Sequence, residues 1–138
     1  MDQLALLTPV LTLIIWTFII FLIMAFGRVS FMNNPQDAAE SKDYKDNLPA
    51  WVNRTADNYN HLFEQPTLFY AVVIYIFLMG NSDLTHLVLA WGYVLFRAIH
   101  SVYQLTHNKV KWRATIFGIG GAFLLIMIAR EAISLLTS

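Results

Sequence analysis

Leu4–Phe26 reads LALLTPVLTLIIWTFIIFLIMAF, a run without a single charge. At about 1.5 Å per residue it is roughly 35 Å long as a helix, more than the ~30 Å hydrocarbon core of a bilayer requires. A secretory signal is the rival reading. A signal carries Lys or Arg ahead of a shorter apolar core and small residues at a cleavage site. Here the only early charge is Asp2, and no such site follows. The run is therefore predicted to be a retained membrane helix.

The composition extends that reading to the whole chain. Of 138 residues, 57% are hydrophobic and 13% charged, against about 45–50% and about 25% in soluble domains. A soluble domain this small has too much surface for its volume to hide so much apolar side chain. Three further apolar runs follow, giving predicted spans at 4–26, 62–80, 85–106 and 113–136, with residues 27–61 as a long first loop. The expected fold is all-α: one membrane-embedded four-helix bundle over residues 1–138.

Within the first loop, Asn33, Asn34, Pro35, Gln36 and Asp37 read as a turn or helix start. Glu40, Lys42, Asp43, Lys45 and Asp46 mix both signs, a solvated pattern. Leu48–Trp51 suits the membrane interface. Pro66 bends the second span if it lies beyond its first turn. Gly80, Asn81, Ser82 and Asp83 form a turn. Gly118, Gly120 and Gly121 allow close helix contact early in the fourth span. Arg130 and Glu131 sit near its far end, where long side chains snorkel. His86 and His107 are expected to be solvated.

Loop charge sets the expected orientation. The first loop holds Arg28, Lys42, Lys45 and Arg54; the second holds no Lys or Arg; the third holds Lys109, Lys111 and Arg113. By the positive-inside rule, loops one and three are cytoplasmic and both termini outside. The net charge of +0 argues against a nucleic-acid binder. With no cysteine there is no disulfide, no thiolate nucleophile of the chain's own and no Cys-ligated metal. His61, His100 and His107 lack the paired spacing of helical metal ligands.

Ionisable residues in a span are costly and usually face a bundle interior or a wet cavity. Glu64 lies about 24 Å from the Gly80 end of its helix, and Arg97 and His100 about 18 and 22 Å from Thr85, so all three fall at similar depth. Arg97, His100 and Gln104 repeat at i, i+3 and i+7 on one helical face. Asn60 and His61 are placed on one face with Glu64. A Glu64–Arg97 pair between helices, with Asn108 and Arg113 at the same end, gives a mainly cationic recess. The plainer reading is that Glu64 and Arg97 only join helices or subunits. Tyr103 and Trp112 read as interface anchors.

These residues carry a family resemblance. Asn60-His-Leu-Phe-Glu-Gln-Pro-Thr-Leu-Phe-Tyr70 and Arg97-Ala-Ile-His100, followed by Asn108 and Arg113, resemble the MAPEG family, the membrane-associated proteins in eicosanoid and glutathione metabolism, and look closest to its bacterial members. Asn34-Pro-Gln-Asp37 is a weaker echo. The resemblance implies a homotrimer with glutathione held between subunits as co-substrate. It implies that Glu64 binds the glutathione amine, that Arg97 and His100 belong to the binding shell, that Arg28 contacts a carboxylate and that Arg113 stands near the thiol as the catalytic group. Asn60, His61 and Gln104 complete the candidate binding set. There are departures. The family asparagine sits three residues before the glutamate, where this chain has His61. Gln104 stands where several members have tyrosine, and Ala114 follows Arg113 where a hydroxyl is found.

The residues agree with that chemistry. Glutathione carries two carboxylates, an amine and a thiol. Arg28, Arg97, Arg113 and one Glu64 complement that set, and nearby cations favour the thiolate. The expected function is a membrane-bound glutathione-dependent transferase or peroxidase acting on lipophilic electrophiles or lipid hydroperoxides. Two alternatives stay open. A non-catalytic glutathione- or lipid-binding protein of the same fold binds without turnover. A small transport subunit requires polar residues continuing to the outer face, and the outer halves of these spans are apolar.

Overall fold

In the computed structural model, residues 2–39 and 46–138 are described, and the mixed-charge stretch 40–45 lies outside them. A 3-10 turn at Gln3–Leu6 leads into α1 (Leu7–Phe31). A second such turn, Pro35–Ala39, precedes α2 (Ala50–His61), α3 (Gln65–Leu78), α4 (Leu84–Thr106) and α5 (Val110–Thr137). No strand occurs among the described residues. The chain is an all-α membrane protein with four rods, α2 and α3 forming one interrupted rod.

Length explains the interruption's place. The 14 residues of α3 extend only about 21 Å, too short to cross alone. Joined to α2, the rod Ala50–Leu78 is long and apolar enough to span, as are Gln3–Phe31 and Val110–Thr137. The 23 residues of α4 are long enough at about 34 Å, but its interior carries Arg97, His100 and Gln104. Those polar groups are all buried, so α4 shields them by packing in the middle of the bundle, against α1, α2 and α5.

The last twelve residues of the expected loop are therefore helical, as α2. That helix stops at His61 because of Pro66. In a continuous helix the pyrrolidine ring would strike the carbonyl of Leu62 and leave it without a donor. The chain instead makes two tight turns, Phe63 N–H to Asn60 O at 3.1 Å and Glu64 N–H to His61 O at 3.1 Å. Pro66 then occupies the first turn of α3, where no N–H is needed. The hydroxyl of Thr67 donates to the Glu64 carbonyl at 2.6 Å.

Each helix buries one stripe. From the first turn through α1 the stripe runs Leu6, Val10, Leu13, Thr17, Ile20, Met24 and Gly27, at alternating steps of three and four. The other faces leave Leu11, Ile15, Phe18 and Leu22 exposed, as lipid or a neighbouring chain requires. Phe69 of α3 stacks on Tyr93 of α4 with ring centroids 4.6 Å apart. Gly27 permits the closest α1–α2 approach: a Cβ there would lie 2.8 Å from Val52 Cγ2. Of the α5 glycines, Gly121 lies against Gln65, while Gly118 has open space around it.

The end of the bundle carrying both termini holds a network that departs from expectation. His86 is buried, its Nε2 lying 2.8 Å from Glu131 Oε1. Asn81 Nδ2 donates to the other Glu131 oxygen at 2.9 Å. Arg130 makes two bonds to Asp83, at 3.1 and 2.8 Å. Neither Arg130 nor Glu131 reaches out to the interface alone, because the α3–α4 turn folds over the end of α5 and supplies partners. That turn is closed by Gly80, whose φ of 71° lets Asn81 N–H reach back to the Ile76 carbonyl at 3.0 Å.

Asp83 also caps α4, accepting from His86 N–H at 2.8 Å. The Arg130 guanidinium holds the Asp83 carboxyl well below the usual carboxylate range, at about 2 against 3.8. A depressed folded value means the contribution is complete above pH 3.8 and is lost as pH falls toward 2. With 45% of the Asp83 side chain exposed, solvent screening limits the pair to about 1 kcal/mol or less. Asp83→Asn keeps a good cap and deletes the ion pair. Its melting temperature is expected to sit below wild type at pH 6 and to converge with it as the pH approaches 2; a constant gap would exclude the ion pair as the cause.

Candidate functional site

The opposite end gathers the other polar groups. A recess of about 220 Å³ is lined by His61, Glu64, His100, Arg113, Ala114 and Phe117. Four separate segments contribute: the end of α2, the break before α3, α4 and the start of α5. The break is what admits Glu64. It places the carboxylate just ahead of α3, where the helix N-terminus favours a negative charge, with 66% of its side chain exposed.

Glu64 pairs with His61, Oε2 to Nδ1 at 3.2 Å, and not with Arg97 as expected. The physical reason is the break: leaving the helix after His61 turns the carboxylate outward to the rim. The same feature separates Asn60 from Glu64. Their four-residue spacing would share a face only in a continuous helix, and Asn60 is exposed and does not line the recess.

Arg97 lies one layer deeper. It is 3% exposed and lines a closed crevice with Gln65, Tyr93 and Phe96, adjoining the recess through the shared His100 and Phe117. Its Nη1 lies 3.0 Å from His100 Nδ1. A guanidinium can only donate, so Nδ1 accepts and the ring proton of His100 sits on Nε2. The Nε and Nη2 of Arg97 have no hydrogen-bond partner among the described residues. Two buried donors of a cation left without acceptors are costly.

Arg113 is positioned from the α4–α5 turn. Its Nη1 donates to Asn108 Oδ1 at 2.6 Å. Asn108 has a φ of 53°, a left-handed conformation that asparagine tolerates better than most residues. Its N–H bonds the Tyr103 carbonyl at 2.9 Å. One asparagine thus closes α4 and aims the arginine.

The remaining candidates fall elsewhere. Gln104 is buried and accepts from Asn58 Nδ2 at 2.8 Å, joining α2 to α4 outside the recess lining. Arg28 is half-buried in the last turn of α1 and is not among the lining residues. His107 is exposed, stacked on Tyr103 at 5.4 Å. Sequence reasoning missed Asn58. Its i, i+3 relation to His61 was available, but only the packed structure shows that it meets Gln104.

A four-rod membrane bundle with a mixed-charge recess at one end leads to the comparison with known families. The family model of the MAPEG family matches residues 6–133. The chain belongs to the MAPEG family. Membership sets it among the membrane-associated proteins of eicosanoid and glutathione metabolism, and with three rods long and apolar enough to cross a bilayer it is an integral membrane protein. Comparison with curated proteins and with solved structures gave no match. The match takes in all the MAPEG-like motifs read above, from Asn34-Pro-Gln-Asp37 to Arg113.

Proposed function

We propose that the chain is a membrane-bound glutathione-dependent transferase or peroxidase that acts on lipophilic electrophiles or lipid hydroperoxides. The observation that carries this reading is Arg97: a buried cation with two unpartnered donors directly behind a recess that also presents Glu64, His100 and Arg113. Such a site asks for a ligand with carboxylates for the arginines and an ammonium for the glutamate, and glutathione has both. In this reading Glu64 takes the amine, Arg97 and His100 take a carboxylate, and Arg113 faces the thiol. Its charge favours the thiolate.

At about 220 Å³ the recess is smaller than the roughly 300–1,000 Å³ of sites that enclose a small molecule. That small volume supports a site whose wall a neighbouring subunit completes, as in a homotrimer, with Arg28, Asn60 and Gln104 of the candidate set lying away from this half of the site. Loop charge supports both termini outside and the recess facing the cytoplasm, and the resemblance to bacterial members supports an inner-membrane setting. The lipophilic partner enters sideways, past the exposed apolar face of α5.

One observation favours the non-catalytic alternative: Ala114 lines the recess beside Arg113 and offers no hydroxyl to the thiol. Calorimetric titration of the detergent-solubilised protein with glutathione, followed by turnover of chlorodinitrobenzene, separates the two. Binding with turnover is the expected result, and binding alone selects the alternative. Glu64→Gln is expected to weaken binding about tenfold or more, since charge-assisted bonds are worth roughly 1.5–3 kcal/mol. Equal affinity in wild type and Glu64→Gln rejects the assigned pocket.

A further inference from the structure

The recess holds two imidazoles in opposite roles. His100 accepts at Nδ1 from Arg97, so its Nε2 carries a proton and can only donate. His61 is the reverse. Its Nδ1 faces the Glu64 carboxylate at 3.2 Å, and a carboxylate only accepts. The ring proton of neutral His61 therefore sits on Nδ1, leaving Nε2 with a free lone pair. No hydrogen bond engages that nitrogen among the described residues. The ring is half-buried and lines the same recess as Arg113. A base held in one tautomer by a carboxylate, beside a cation, is the arrangement that activates a nucleophile elsewhere on unrelated folds.

We propose that His61 is the general base that removes the thiol proton of glutathione, with Glu64 orienting it. The assignment rests on the glutathione-dependent reading above. The S–H bond breaks and its proton goes to His61 Nε2. The electron pair stays on sulfur, beside Arg113, and the imidazolium donates from Nδ1 to Glu64. With chlorodinitrobenzene the thiolate forms the sulfur–carbon bond and chloride leaves with its bonding electrons. The imidazolium then gives its proton to water. Glu64 has a second oxygen for the glutathione amine, so both of its roles are compatible. The titratable and charged groups around His61 are Glu64 at the break, Arg97 and His100 of α4, Arg113 of α5 and, one turn earlier on α2, the exposed Asp57.

The test is the pH dependence of turnover in His61→Asn and His61→Gln. The first variant keeps a donor at the δ position toward Glu64, and the second preserves length should the first fold poorly. Melting temperature and glutathione binding are measured alongside. The expected loss in kcat near neutral pH is about a hundredfold, the lower range for a positioned base, with KM for glutathione little changed. The wild-type rate is expected to fall on the acid side. The variants lose that limb, follow ionisation of the thiol alone, and approach the wild-type rate at alkaline pH. Parallel profiles, or an effect confined to KM, overturn the base assignment while leaving the glutathione reading intact. A wild type that binds glutathione without turning over any electrophile overturns both the enzymatic reading and the base.

Discussion

Arg97→Met is expected to raise the melting temperature of the solubilised protein while abolishing its affinity for glutathione. Opposite signs in one variant follow from one fact. Arg97 is a 3% exposed cation whose Nε and Nη2 lack partners among the described residues. Keeping such a charge away from water costs several kcal/mol, which outweighs the about 1–3 kcal/mol for the one neutral acceptor, His100 Nδ1, that the substitution leaves without its donor. Methionine has comparable length and adapts to irregular gaps, and the crevice around it offers Phe96, Ile116, Phe117 and Gly120. The same deletion removes the group that a glutathione carboxylate would need. Wild type should gain roughly 2.7 kcal/mol of apparent stability at a ligand concentration 100 times Kd, and Arg97→Met should gain nothing. Thermal melts of both proteins with and without glutathione make the comparison. A variant that melts lower than wild type, or shifts as wild type does on adding glutathione, shows that Arg97 is structural.

The second large effect is expected at Arg113 and its support. Arg113→Ala should lower kcat for chlorodinitrobenzene by about 10²–10³, the cost of losing one preorganised charge-stabilising donor. It should also remove the rise in thiolate ultraviolet absorbance when glutathione is added. Asn108→Gly is the finer test. Glycine accepts the 53° φ at that turn, so α4 and α5 stay joined, but the Oδ1 that holds Arg113 Nη1 at 2.6 Å is gone. Its melting temperature should stay close to wild type while kcat falls and the thiolate signal weakens. If Arg113→Ala and wild type give the same signal, the arginine does not stabilise the thiolate and some other group in the recess does.

Much of the site was legible because its members sit in spans, where a charge is conspicuous. Glu64, Arg97 and His100 stand out beside apolar runs, and helical rise alone places the three at one depth, while Arg113, next to Lys109 and Lys111, is marked only by its place at the start of the fourth span. Pairing was less legible. Glu64 was expected to meet Arg97 and instead meets His61, while Gln104, grouped with the ligand shell, bonds Asn58. The first outcome depends on where α2 ends, because periodicity assumes that a helix continues, and the second on how α2 packs against α4. At the other end, His86, Arg130 and Glu131 each have an ordinary exposed reading taken singly. Their network exists only because the α3–α4 turn packs on the end of α5.

What the chain settles by itself is its solvent and its rods. Backbone groups in hydrocarbon must bond within the segment, and span length is fixed by the bilayer, so apolar run length alone yields a four-rod helical membrane protein. Tertiary structure decided which polar side chains share a cavity. A side chain's direction depends on the local backbone, and one proline-driven break before α3 was enough to swing Glu64 from the buried arginine to the rim.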